Sequence, residues 1–122
     1  MPRLLFPEQK IHPSIREKAD QFNRSIVEEV KAAVERDDIV VIGMAQNPVC
    51  KKARKFLDEK KLTYTYLEYG SYFNEWKRRL ALKMWIGWPT FPMVFVRGQF
   101  IGGFDDMQEL DKSGEFQELL SA

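Results

Sequence analysis

WPTFPMVFVRGQFIGGFDD, residues 88–106, is the stretch that decides the fold. Residues 87–92, GWPTFP, read as a rigid turn, because each of the two prolines fixes its own φ. MVFV, residues 93–96, follows as a strand. Arg97-Gly98 makes a two-residue hairpin turn, and QFI, residues 99–101, returns as a short strand antiparallel to the first. The glycine pair permits positive φ or close backbone approach, and a last helix is predicted over about residues 106–120. Asp105 suits its N-cap, with Gln108 three residues on at capping-box spacing.

Upstream of that hairpin the elements alternate. Residues 73–85 read as a helix with Trp76, Leu80 and Met84 turned inward. LTYTYLEY, residues 62–69, alternates and is rich in β-branched and aromatic residues, so it is a strand. Residues 48–60 form a helix with Ala53, Phe56 and Leu57 on its inner side. Residues 39–42, IVVI, are a short continuous apolar run, the mark of a strand buried on both faces. Before it, Ile15, Ala19, Phe22, Ile26, Val30 and Val34 recur at spacings of three and four. They predict one long helix over residues 13–36, entered at Pro13 and weakest around Asn23, Arg24 and Ser25.

The element order is α-β-α-β-α-β-β-α. Both helical connections predict parallel strands, and the final hairpin an antiparallel pair. The fold class is therefore α/β: a mixed four-stranded sheet with helices on both faces and an extra N-terminal helix. Residues 1–37 are the lead-in and helix, residues 38–122 the main domain, in one compact unit. Internal repeats and low-complexity segments are absent.

Composition narrows the function. The chain has 122 residues, 44% hydrophobic and 30% charged, with a net charge of +1. Such a length suits one domain with one real core. The balanced charge gives no pull towards nucleic acid or an anionic membrane, and the basic run at residues 51–55 is short and interrupted. No apolar run nears the roughly 20 residues that span a bilayer, and the N-terminal run is too short for a signal peptide. A cytoplasmic location is expected. One cysteine, Cys50, precludes an intramolecular disulfide, and with one histidine, His12, metal-ligand spacing is lacking.

Four groups of residues could carry chemistry. AQNPVCKKARKFL, residues 45–57, is a turn that opens a basic helix. Its first N–H groups favour an anion, and a thiol at its very start would be largely thiolate. Asn47 holds that place, and Cys50 lies one turn in. Either the turn is a redox site, or Asn47 is simply a cap and Cys50 a small buried residue. In the second group, Pro92 is either a cis proline that presents the Phe91 backbone to a peptide-like ligand or an edge-strand entry proline. In the third, Gly103, Phe104 and Asp105 form either a glycine turn with a cap or a site for a ligand bearing both ammonium and carboxylate. Arg79 and Lys83, four apart on one helix, share a face and read by themselves as a solvated basic face.

Taken together, these motifs resemble the glutaredoxins from about residue 38 to residue 120. NPVCKKARKFL stands in the place of that family's C-P-x-C/S helix, WPTFPMVFVRGQFIGG in the place of its W-P-T-x-P strand, and GGFDD in the place of its G-G-C/S-D-D turn. LKMWIGWPTFP and the leading helix look more like the monothiol branch. The resemblance implies a thioredoxin-like fold with a groove for glutathione. Thr90, Phe91 and Pro92 would pair with the cysteinyl backbone. Gly103, Phe104 and Asp105 would hold the γ-glutamyl end, and Arg79 with Lys83 the glycyl carboxylate. It also implies departures. Asn47 occupies the nucleophile's position, Cys50 the resolving position, Met44 the place of a lysine, and Phe104 that of the cysteine in the glycine turn.

Three functions follow as expectations. The first is glutathione-linked thiol–disulfide redox homeostasis with Cys50 as the one thiol and altered catalysis, acting on glutathione or glutathionylated proteins. The second is a glutathione-binding adaptor without thiol chemistry. The third is a bridging [2Fe–2S] cluster, which ranks last because iron ligation needs a thiolate where Asn47 stands. The protein is expected to be a monomer or weak dimer.

Overall fold

The computed structural model describes residues 3–71 and 74–122. Its chain runs α1 (Pro13–Gln21), α2 (Arg24–Arg36), β1 (Ile39–Gly43), α3 (Pro48–Glu59), β2 (Thr65–Glu68), α4 (Trp76–Ile86), β3 (Met93–Val96), β4 (Gln99–Gly102), α5 (Phe104–Ser113) and α6 (Glu115–Ser121). The strands form one mixed sheet in the order β2-β1-β3-β4. This is the thioredoxin-like α/β fold with a four-stranded sheet that the sequence predicts.

Strand alternation splits the core in two. Val40, Ile42, Met93 and Phe95 face one side, where α2 supplies Ile26, Val30 and Ala33 and α4 supplies Ala81 and Leu82. Ile39, Val41, Val94 and Val96 face the other, covered by Ala53 and Leu57 of α3, Met107 of α5 and Phe116 of α6. All five residues of β1 are buried, which explains why its sequence is an unbroken apolar run rather than an alternation. Burying a side chain such as Phe116 completely is worth about 1.5–3 kcal/mol, enough to hold a seven-residue helix that would not form alone.

Several expectations are corrected. The first two strands are parallel, Val40 facing Thr65, but β3 runs antiparallel to β1, with Ile42 opposite Met93 and Ile39 opposite Val96. Those registers put the end of β2 and the start of β3 at the same edge of the sheet. The connection through α4 therefore passes over β1 but returns to the end of the strands it left, so β2 and β3 are antiparallel and the rule for parallel crossovers does not apply to it. The long N-terminal helix is two helices. Asn23 takes the left-handed conformation (φ 43°) between them, at the predicted weak point, and α1 buries none of its residues. Ile15 thus does not join the core stripe.

On α4 the predicted inner face is the outer one. Trp76, Leu80 and Met84 are exposed, while Arg79, Ala81 and Leu82 are buried. The predicted start of that helix, Phe73, lies outside the described residues. The last helix breaks at Gly114 (φ 86°) into α5 and α6, and its N-cap is Gly103 rather than Asp105. The Asp106 carboxylate accepts from the Gly103 N–H at 2.9 Å, so the capping pair lies two residues earlier than predicted. The hairpin is as expected: Arg97 (φ 51°) and Gly98 (φ 83°) both have positive φ, matching a tight two-residue turn, and the Arg97 N–H donates to the Asp38 carbonyl at 2.7 Å.

Candidate functional site

The candidate site gathers at the edge of the sheet where β1 ends and β3 begins. α3 starts there. Pro48 occupies its first turn, where a missing N–H costs nothing, and Asn47 is the N-cap. The Asn47 Oδ1 accepts from the Val49 N–H and the Cys50 N–H, both at 2.9 Å. Two of the donors that a helix start offers to an anion are therefore taken by a neutral amide oxygen of the chain itself.

Cys50, in the first turn of α3, packs into the core. It is 1% exposed and belongs to the same buried cluster as Met44, Tyr69 and Phe91. Burial pushes its thiol above the ordinary value; the nearby Glu68 charge adds to this, and the Met44 backbone opposes it. The thiol stays protonated at neutral pH, and its sulfur does not meet solvent. Lys51 and Lys52 are exposed on the first turn of α3, whereas the Arg54 guanidinium lies 4.2 Å from the centroid of the Tyr66 ring.

The second wall is the entry to β3. The Phe91–Pro92 bond is cis. Phe91 and Pro92 are buried and Thr90 is exposed. The Lys83 ammonium lies 5.7 Å from the centroid of the Phe91 ring. The third wall is the start of α5. Gly103 runs against Pro92 so closely that a Cβ there would stand 3.4 Å from the Pro92 carbonyl oxygen. Gly102 has φ +99°, and a Cβ on it would come within 2.5 Å of the Asp106 carboxylate, so only glycine fits. Asp105 is exposed on the first turn of α5. Phe104 turns inward instead, its ring 6.2 Å from that of Phe56 in edge-on packing.

The structure thus brings Met44, Cys50, Phe91, Pro92, Lys83 and Gly103 together around one edge. Arg79 is placed differently. It is 6% exposed, and its Nη1 donates to the carbonyls of Tyr69, at 3.0 Å, and Asn74, at 2.5 Å. Its guanidinium ties the β2–α4 connection down, which is neither a solvated basic face nor a surface shared with Lys83. Sequence reasoning also missed Tyr66. Its ring covers Gly43, where a Cβ would fall 2.4 Å from the phenol oxygen, and its hydroxyl donates to Glu68 at 3.3 Å. Burial raises the Tyr66 phenol, and the Cys50 charge acts in the same direction. The signal that could have found it is Gly43 itself, since a glycine closing an apolar strand marks a close approach.

Chemically, the site offers a helix pole closed by an amide, a protonated buried sulfur, a backbone cradle between residues 90–92 and 103–105, and an ammonium and a carboxylate at its rim. The family model described as Glutaredoxin matches residues 39–101, from β1 to the end of the hairpin. A glutaredoxin-like protein of Dictyostelium discoideum is 43% identical over 101 residues, covering 82% of this chain and 82% of that one. Monothiol glutaredoxin-4 of Schizosaccharomyces pombe is 36% identical over 81 residues, 64% of this chain but 32% of its own length. Among solved structures, a buckwheat glutaredoxin–glutathione complex shares the fold with a TM-score of 0.73 at 24% identity, over 84% of this chain and 93% of that one.

Proposed function

The chain belongs to the glutaredoxin family, and from that premise we propose that it binds glutathione, free or carried on another protein, and serves glutathione-linked redox homeostasis without fast thiol–disulfide turnover of its own. The observation that carries this reading is the contrast within one site. Thr90 and Asp105, at the two walls of the cradle, are exposed, while the Cys50 side chain beside it is 1% exposed. Thiol exchange needs both access and thiolate, and Cys50 offers neither.

In this reading Thr90 and Phe91 present backbone groups to the cysteinyl part of glutathione. The first-turn N–H groups of α5 and the Asp105 carboxylate take the γ-glutamyl end, and Lys83 takes the glycyl carboxylate. Asn47 stands at the nucleophile's position and Cys50 at the resolving one. The stretch LKMWIGWPTFP and the likeness to the fission-yeast protein favour a place beside the monothiol branch, in a cytosolic monomer or weak dimer. A [2Fe–2S] cluster does not fit these residues: iron ligation needs an accessible thiolate, and the one thiol is buried and protonated.

Calorimetry with reduced glutathione tests the proposal. Binding is expected at millimolar ligand or below, weakened at least tenfold in Asp105→Ala, whose side chain is exposed and outside the core. An absence of heat at millimolar glutathione, or binding unchanged in Asp105→Ala, would sink it.

A further inference from the structure

α4 carries apolar residues on two faces. Ala81 and Leu82 pack into the core beside Arg79, and Trp76, Leu80 and Met84 form a second row on the outside, 58%, 38% and 59% exposed. Spaced by four, they line up over about 12 Å of helix at about 1.5 Å per residue. Three large apolar side chains in one exposed row exceed the scattered single residues that ordinary surfaces show. The flanks of the row are basic: helical spacing puts Lys77 on one side and Lys83 on the other. The helix WKRRLALKMWI holds four cations and no carboxylate. Arg78 is paired with Glu75 at 2.9 Å and Glu29 at 3.5 Å, and Arg79 is bonded to backbone carbonyls. Lys77 and Lys83 have no ion pair among the described residues and lie over the Trp76 and Phe91 rings, each 5.7 Å from the centroid.

We infer that this outer face of α4 docks an acidic amphipathic helix of a partner protein, its apolar row on Trp76, Leu80 and Met84 and its carboxylates beside Lys77 and Lys83. A helix of that kind buries the row and neutralises both free cations at once. A second copy of this chain fits worse, since a two-fold contact must be self-complementary and α4 against α4 sets cations against cations. An anionic bilayer would meet the same two cations, and the vesicles in the test below separate it from a partner helix. Lys83 links the row to Phe91, so the docked helix lies alongside the candidate groove. The inference stands on α4 and does not require glutathione to bind; Lys83 is the one residue it shares with the glutathione reading, and bound glutathione leaves Lys77 as the partner's cation.

The test uses the full chain and two designed peptides about 18 residues long, or five turns. Both carry leucines at alternating spacings of three and four; one has glutamate elsewhere, its twin lysine. By calorimetry the acidic peptide is expected to bind at least tenfold more tightly than the basic one. Met84→Glu and Lys77→Glu should each weaken it at least tenfold while leaving glutathione affinity unchanged. Both sites are exposed, and if one variant fails to fold by circular dichroism, the other decides. Equal binding of the two peptides overturns the inference, as does acidic-peptide binding undiminished in the folded variants. It is also overturned by phosphatidylserine vesicles retaining the protein when the acidic peptide does not, or by a concentration-dependent dimer that Met84→Glu abolishes.

Discussion

Asn47→Cys puts a sulfur at the Cγ position of Asn47, one bond short of the Oδ1 that now accepts from the Val49 and Cys50 N–H groups at 2.9 Å. Those donors and the positive end of a 12-residue helix stabilise thiolate over thiol. Cysteines at such helix starts fall from about 8.5 to about 3.5–7.5. A value near 6.5 corresponds to about 2.7 kcal/mol of preference for the charged form. Thiolate at pH 7 then rises from about 3% to about three quarters. The introduced thiolate attacks the glutathione sulfur of a mixed disulfide and expels the other partner's thiolate. A second glutathione then displaces the enzyme sulfur and leaves as glutathione disulfide. Turnover is followed as NADPH consumption through glutathione reductase, and the thiol's titration by absorbance near 240 nm. The variant should run about 100-fold or more above the parent, with a pH midpoint at its titrated value and about 1 kcal/mol of lost cap. A lowered titration without turnover refutes the groove. An unlowered one refutes the helix-pole argument.

Three further outcomes follow from the packing. Cys50 has a raised folded pKa, so its contribution to stability is complete below the unfolded value, 9.0, and declines as pH climbs through the folded one. Urea midpoints should be level up to that value and fall beyond it, with part of the fall removed in Cys50→Ala, since Tyr66 and Tyr69 are raised too. Gly102→Ala should cost more than Gly98→Ala, although both have positive φ: a Cβ at Gly102 meets Asp106 at 2.5 Å, and one at Gly98 meets nothing within 4 Å. The strain alone is worth about 1 kcal/mol, so equal urea midpoints for the two would contradict the steric reading. Arg79→Met leaves the carbonyls of Tyr69 and Asn74 without their donor and should lower stability by about 2–3 kcal/mol. A loss below 0.5 kcal/mol, the scale of an ordinary surface substitution, would return Arg79 to the surface.

The sequence is legible wherever one local rule decides. The unbroken run of β1, the Arg97-Gly98 turn and the Asn47-Pro48 start of α3 each follow from chemistry within a few residues, and the structure has all three. Direction across the sheet is not local. Whether α4 delivers the chain to the far end of the strands or back to the end it left depends on where the sheet already lies, so β3 is antiparallel against expectation. The face of α4 was misread for a related reason. Its outer row of Trp76, Leu80 and Met84 is larger and more regular than its inner pair of Ala81 and Leu82, and periodicity alone favours the bigger stripe. Arg79 was misread because a buried guanidinium needs carbonyl acceptors that only tertiary placement supplies.

Could Cys50 do the chemistry after all, by opening? To meet a disulfide, the first turn of α3 must unwind. That breaks two hydrogen bonds to Asn47, each worth about 1 kcal/mol, and exposes a buried thiol worth about 1 kcal/mol more. An opening free energy near 2.8 kcal/mol leaves the turn open about 1% of the time, since about 1.4 kcal/mol is a factor of ten. Once open, the thiol no longer sits at a helix pole and is thiolate to about a few per cent at neutral pH. Reactive, accessible thiolate is then about 3 parts in 10,000, against about three quarters for a sulfur at position 47. The parent should therefore turn over about three orders of magnitude more slowly than Asn47→Cys. Iodoacetamide should modify native Cys50 at pH 8 about 100-fold more slowly than the unfolded chain. Turnover within tenfold of Asn47→Cys that disappears in Cys50→Ser would mean that the turn opens at almost no cost, and the buried sulfur would have to be counted as the working one.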